Sequence, residues 1–220
     1  MSFMILDIYT DASIRTFDNG RVFGCSGALC ATNGDSVYTI TPDTTNNKSE
    51  LIAIYNGIIL ADKIRKEHPE YNEIYLYSDS QFGVFGLTRW IYGWLKTRDS
   101  NGVMYGSNGQ PVKNQELFAM ILSYLASNRL KIHFRHIAGH VRYTSTKMLN
   151  KANDTFYTSN GYYLRPEDIY KVSYYNGIVD RTSRAKLDAI NPNEFPIMDD
   201  SNCASMCRYQ IPQRFGKFIK

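Results

Sequence analysis

The sequence predicts an α/β protein: a mixed sheet whose first three strands meander and whose later strands alternate with helices laid on its faces. Three observations carry this. Residues 3 to 10, FMILDIYT, form a β-branched and aromatic run of the kind that makes a buried strand. Residues 47 to 66 place Leu51, Ile54, Tyr55, Ile58, Ile59 and Ala61 at helical spacing, with Pro69 past the end. From there strand-like and helix-like segments alternate. At 220 residues, 43% hydrophobic and 21% charged, the chain can bury a sizeable core in one large domain, or in one domain plus an extension.

The elements follow in order. Polar, Gly-bearing residues 12 to 21 read as a turn after the first strand. Strands are expected at 22 to 32 and 36 to 41, joined at Asn33-Gly34-Asp35, because an Asn-Gly pair favours a tight hairpin. The helix over 47 to 66 comes next, then a strand at 73 to 79, EIYLYSD, ending on an acid. Residues 80 to 95 read as helical, with Trp90 and Trp94 one turn apart, and core packing suits at least one of those rings. A Gly-, Asn- and Ser-rich loop is expected over 97 to 112, a helix over 114 to 126, a strand over 130 to 138 and a helix over 146 to 158. Beyond residue 160 the periodicity weakens and predicts only short elements between Pro and Asn. The expected division is therefore 1–160 as the main domain and 161–220 as an extension.

Composition narrows the function. The formal net charge of +4 permits a polyanionic partner without demanding one. No run approaches the roughly 18 apolar residues that span a bilayer, and the start is too acidic for a secretory signal. The four cysteines, Cys25, Cys30, Cys203 and Cys207, are too few for a disulfide framework in a chain of 220 residues and read as free thiols. A cytoplasmic protein is the expectation, with no protein partner evident and a monomer as the default.

Four carboxylates stand at element ends or first turns instead of on solvated faces. Asp11 closes the first strand, Asp79 closes the fourth, Glu50 opens the long helix and Asp154 lies in the helix over 146 to 158. Each alone has an ordinary reading as a turn residue or a complement to a helix dipole. Together, at the edge where α/β strands end, they raise one another's pKa unless a cation neutralises them. Oxygen ligands in that number suit Mg2+ or Mn2+.

These segments resemble the type 1 ribonuclease H family. YTDAS (9 to 13) is similar to its first-strand motif, TNNKSELIA (45 to 53) to its helix start, and SDSQ (78 to 81) to the run after its fourth strand. LTRWIYGW (87 to 94), QPVKNQELF (110 to 118), AGH (138 to 140) and NKAND (150 to 154) match later family motifs in the family's order. The resemblance covers about residues 3 to 160. It implies a ribonuclease H-like mixed five-stranded sheet, three antiparallel strands first and parallel strands after, with helices on both faces. It implies an endonuclease that cuts the RNA strand of RNA/DNA hybrids with two Mg2+ ions, Mn2+ substituting, leaving 5′ phosphate and 3′ hydroxyl ends. Carried over by position, the metal-binding acids fall on Asp11, Glu50, Asp79 and Asp154, and His140 matches a mobile His that assists proton transfer or product release. His136 is the rival for that role. Asn46, Asn47 and Gln81 match readers of the hybrid's minor groove, and Ser13 joins this substrate-binding set. Thr45 and Asn114 match a pocket for a DNA-strand phosphate, and Trp90 an aromatic packed on a DNA sugar.

The chain also departs from the pattern. Asp43 stands where that phosphate pocket usually has Arg, Asn153 precedes the last acid where Ala is usual, and the segment after the paired Trp carries only Lys96 and Arg98. Residues 161–220 read either as a tail or strap over the core, or as an added duplex-binding surface, with several Tyr and a basic, acid-free end. Two rival functions stay open: a structure-selective DNA nuclease of the resolvase or integrase kind, and a hybrid-binding module without catalysis.

Overall fold

The computed structural model describes residues 4–195; Cys203, Cys207 and the basic closing stretch lie outside the described residues. Five strands form one sheet in the order β3-β2-β1-β4-β5. β1 (Met4–Thr16), β2 (Val22–Cys30) and β3 (Ser36–Pro42) pair antiparallel, whereas β4 (Tyr71–Ser78) runs parallel to β1 and to β5 (His133–His136). The expected hairpin is present: Gly34 adopts φ 83 and donates its N–H to the Cys30 carbonyl at 2.9 Å, a backbone geometry that glycine takes without a Cβ clash.

β1 is longer than the sequence suggests. Residues 12 to 16 were expected to turn, yet they stay paired with β2 through Thr16↔Val22. Asp11 therefore sits in mid-strand, opposite Gly27. It still marks an end, because the β1–β4 ladder stops at Thr10↔Ser78. β5 is shorter than the expected strand over 130 to 138, pairing with β4 only over four residues.

Side chains alternate across the sheet, and the two faces have different cores. Leu6, Ile8 and Leu76 pack with Leu51, Ile54, Ile58 and Ile64 of α1 (Asn46–Glu67). Each fully buried aliphatic side chain contributes about 1.5–3 kcal/mol. α4 (Gln115–Ser127) completes this face through Phe118, Ile121, Leu122 and Leu125. The helical run expected over 80 to 95 is broken into α2 (Gln81–Phe85), a π turn (Gly86–Trp90) and α3 (Ile91–Lys96). Trp94 packs edge-on against Phe118 at 5.2 Å, so it is the core member of the Trp pair, and Trp90 is 42% exposed.

The opposite face is built largely from the segment in which only short elements were expected. α6 (Pro166–Asp188) is a helix of 23 residues that packs along β1 and β2. Its Val172 and Val179 join Tyr9, Ile137 and Phe156 in a second core, with Tyr9 stacked between Tyr77 at 4.9 Å and Tyr175 at 5.3 Å. α5 (Thr146–Asn160) lies beside β5 on Ala152 and Phe156. Phe23, Cys25 and Leu187 form a third, smaller cluster.

Candidate active site

The site forms where β1 outruns β4 and where β4 and β5 end together. Alternation from Tyr9 and Tyr77 points Asp11 and Asp79 toward the α6 face. Glu50 reaches the same edge from the first turns of α1. Its carboxylate and those of Asp11 and Asp79 each offer an oxygen within 4.8 Å of the others. The Asp11 Oδ1 accepts the Ala12 N–H at 2.7 Å, whereas Asp11 Oδ2 and Glu50 Oε2 are buried with no hydrogen-bond partner. Leaving buried anionic oxygens bare costs free energy that the fold must offset elsewhere.

The electrostatics follow from that crowding. Burial, then the neighbouring Asp79 and Asp180, pushes the Asp11 carboxyl up to about 9. Glu50 is raised well above its ordinary range by burial and then by Asp11, Asp79 and Asp180. Asp79 is raised too, mainly by burial, although His140, its own backbone N–H and the Asn176 side chain pull the other way. Gly139 packs directly on this carboxylate: a Cβ there would stand 2.2 Å from Asp79 Oδ2.

Asp154 does not join the cluster. It is exposed, and its carboxylate accepts the Tyr163 hydroxyl at 3.5 Å. The physical reason is helix phase. Ala152 and Phe156 are the buried face of α5, and a residue two positions from each lies about 200° around the helix, toward solvent. The fourth acid at the site is Asp180 of α6, whose charge acts on Asp11, Glu50 and Asp79. Ser13 Oγ donates to Asp180 Oδ1 at 3.5 Å, and the Arg184 Nε donates to the same oxygen at 2.8 Å. A signal for this was in the sequence. Asn176 to Asp180 repeats the N-x-x-x-D spacing of Asn150 to Asp154 and carries apolar Val179 before the acid, where Asn153 departs from the pattern.

His140 stands at the rim with its side chain 69% exposed and φ 52, its Nδ1 3.5 Å from Asp180 Oδ2. His136 is buried below it, bonded through Nδ1 to Ser159 Oγ at 2.8 Å, and burial lowers its pKa. Both His line a cavity of about 560 Å³ that also takes in Asp11, Glu50, Asp79, Asn46, Asn47, Gln81 and Thr155. A second cavity of about 420 Å³ shares Ala12, Asn46 and His140 with it and adds Ser13, Asp180 and Arg184. Trp90 lies elsewhere, in a more apolar cavity of about 680 Å³ with Trp94 and Tyr105. Neither Thr45 nor Asn114 lines the acid cleft. Thr45 caps α1, accepting the Lys48 N–H at 3.4 Å, and Asn114 takes a left-handed φ of 54 before α4, a conformation Asn tolerates. Asp43, standing where an Arg was expected, is held by the guanidinium of Arg21 at 2.7 and 3.1 Å.

Known proteins resemble this chain over part of its length. The chain is 34% identical over 108 residues to a ribonuclease H of Actinobacillus succinogenes, covering 49% of this chain and 61% of that protein. It is 32% identical over 108 residues to ribonuclease HI of Haemophilus influenzae, with the same shares. The chain thus spans about 61% of the length of these curated relatives. Among solved structures, LC9-RNase H1, described as a type 1 RNase H with the type 2 active-site motif, is 22% identical with a TM-score of 0.44, covering 73% of this chain and 74% of that one. The RNase H family model matches residues 5–159, ending before α6. With a match over more than half of its residues, the chain belongs to the ribonuclease H family.

Proposed function

We propose that this protein is an endonuclease that hydrolyses the RNA strand of RNA/DNA hybrids, with two Mg2+ ions held by Asp11, Glu50, Asp79 and Asp180, Mn2+ being able to substitute. The observation that carries the reading is the convergence of Asp11, Glu50 and Asp79 with two buried oxygens that have no partner. Hard divalent cations suit that donor set: they would satisfy the bare oxygens and offset the burial, and at Asp11 and Glu50 the neighbouring acids, that raise these carboxyls. Held by these residues, such ions would supply an activated water and stabilise the leaving oxygen.

The chain's own residues do the rest. The Ala12 N–H fixes one Asp11 oxygen and leaves the other facing the cleft. Asn176 and Gly139 hold Asp79 from two sides. Asn46, Asn47 and Gln81 line the same cleft as the acids, and their amides can both donate to and accept from 2′ hydroxyls and base edges. That placement favours a hybrid substrate over the branched DNA of a resolvase-like nuclease, for which such a reader set has no use. His140, exposed at the rim, would take or deliver a proton at the leaving group, and His136, bonded to Ser159, would support the cleft. Thr45 and Asn114 as phosphate holders, and Trp90 as a sugar-packing ring, remain part of this proposal, as does action as a cytoplasmic monomer.

The test is to incubate labelled RNA/DNA hybrid, double-stranded RNA, double-stranded DNA and branched DNA with the protein in Mg2+, Mn2+ or EDTA. Cleavage of the RNA strand of the hybrid alone, lost in EDTA and in Asp79→Asn, is the expected result. Cleavage of branched DNA instead, or binding of hybrid without cleavage, rejects it.

A further inference from the structure

α5 is interposed between two residues of the site, His140 before it and Asp180 after it. It is 15 residues long, about 22 Å, and little of it is core: only Ala152 and Phe156 are buried. Its last turns are tied down. Ser159 Oγ meets His136, the Ser159 carbonyl accepts from Arg89, and Asn160 donates to the His136 carbonyl at 2.8 Å. One flank forms a wall of the acid cleft through Thr155. On the shoulder above that flank, Lys151 and Lys147 stand one and two turns before Thr155, in a row of four-residue steps. Both are exposed, and neither ammonium has an ion-pair partner among the described residues.

The charge balance of the cleft gives these two cations a task. Asp11, Glu50 and Asp79 line it, Asp180 acts on them from the adjoining cavity, and Asn46, Asn47 and Gln81 in its lining are uncharged amides. Arg184 beside it is engaged with Asp180, and Arg15 with Asp188. The segment after the paired Trp contributes only Lys96 and Arg98. A polyanionic duplex in this cleft meets no Lys or Arg among the lining residues, and cations on the rim are what hold its backbone. The one acid on the same shoulder, Asp154, accepts the Tyr163 hydroxyl.

We propose that α5 is a duplex-binding wall in which Lys147 and Lys151 hold backbone phosphates of the nucleic acid lying in the acid cleft. The proposal rests on the reading of that cleft as a hybrid-binding site. It makes the helix between His140 and Asp180 part of the substrate surface in addition to being a spacer.

Fluorescence anisotropy of a labelled RNA/DNA hybrid, titrated with the whole protein in EDTA across a salt series, measures this without catalysis. Each lost phosphate contact lowers the slope of log K against log salt by roughly 0.9. The double variant Lys147→Gln/Lys151→Gln is expected to lose roughly 1.8 of slope, with its thermal melting unchanged. Lys63→Gln, exposed near the far end of α1, is expected to keep the wild-type slope. An unchanged slope in the double variant, or an equal loss in Lys63→Gln, overturns the proposal. If the wild type cuts hybrid but the double variant keeps its slope, only the role of α5 is removed. A wild type that binds hybrid and never cuts it removes the proposed function, and the slope still decides the role of α5.

Discussion

α1 and α6 are close to the same length, 22 and 23 residues, and lie on opposite faces of one sheet, yet they are held to it by different physics. α1 buries Leu51, Ile54, Ile58, Leu60, Ala61 and Ile64, with Asn56 and Asp62 tied into hydrogen bonds among them, and gives the site Glu50 from its first turns. α6 buries Ile169, Val172, Val179 and Leu187 with Ser173, Asn176 and Ser183 between them. Its site residues run through its middle: Asn176 bonds Asp79, Asp180 joins the acids, and Arg184 reaches His140 Nδ1 at 3.4 Å. These three stand four residues apart, so they form one polar row along the helix. Around them α6 is anchored by Tyr175 on Tyr9, by Lys171 on Asp7 at 2.5 Å and by Arg15 on Asp188. One helix is core with a functional end; the other is a functional row with apolar support.

The largest expected effect tests which helix face supplies the fourth acid. Asp180→Asn should lower the rate of hybrid cleavage at least about 10³-fold, about 4 kcal/mol in the barrier. Asp154→Asn should leave it within about twofold, since that side chain meets only solvent and Tyr163. Single-turnover cleavage in Mg2+ measures both. The reverse outcome returns the role to α5 and removes α6 from the site.

Next comes the contrast in packing. Ile58→Ala, at a fully buried position of α1, should cost about 3 kcal/mol in urea unfolding. Val179→Ala, equally buried on α6, should cost about 1–2 kcal/mol. Equal losses would mean that α6 is held by apolar burial as α1 is, and the comparison breaks.

This contrast also explains what the sequence revealed. α1 shows itself because Leu51, Ile54, Ile58 and Ala61 recur at helical spacing, and Asn46, Asn47 and Glu50 stand out against that stripe as residues with another task. The runs before Asp11 and Asp79 were legible as β-branched and aromatic segments ending on acids, and the β2–β3 hairpin by its Asn33-Gly34 pair. α6 hid because its buried face is half polar. Ser173, Asn176 and Ser183 occupy helical-spacing positions that a hydrophobic pattern reads as solvent. Its start was visible, with Pro166 in the first turn and Glu167 and Asp168 after it. Asp154 stands out in the sequence by motif spacing, which ignores helix phase, and packing on Ala152 and Phe156 turns it outward. The extension of β1 past Asp11 was hidden because residues 13 to 16 pair with β2 through backbone groups that polar side chains do not advertise.

A smaller effect separates function from stability within the acid cluster. In the metal-free protein the raised Asp11 carboxyl binds its proton more tightly when folded than unfolded. Stability therefore falls as pH rises from about 4 toward the folded value of about 9. Asp11→Asn removes the need to take up that proton on folding, and at pH 7.5 in EDTA it should raise stability by about 2 kcal/mol, or about 4–8 °C in melting temperature for a chain of this size. It should also flatten the pH dependence while abolishing cleavage. A variant less stable than wild type in EDTA would mean that the cluster is not under the repulsion its geometry implies.

The smallest effect belongs to α1 alone and shows how an acid behaves away from the cleft. Asp62 is 1% exposed, like the site acids, but its oxygens are all engaged. Burial pushes its carboxyl up, yet hydrogen bonds from Lys66 at 2.6 Å, Arg65 at 3.0 Å and the Tyr124 hydroxyl at 3.0 Å outweigh burial and hold it below its ordinary value. A depressed folded pKa gives stability that is present above the unfolded value near 4 and is lost as pH falls through the folded one. Asp62→Asn should therefore cost about 1 kcal/mol at pH 7, and the gap to wild type should close below about pH 4. Its sign is opposite to that of Asp11→Asn at the same pH, because Asp62 has three donors around it and Asp11 faces other carboxylates. Urea unfolding of both variants at pH 7.5 and pH 3.5 reads the two signs side by side. Matching signs would show that partner chemistry does not separate these two buried acids.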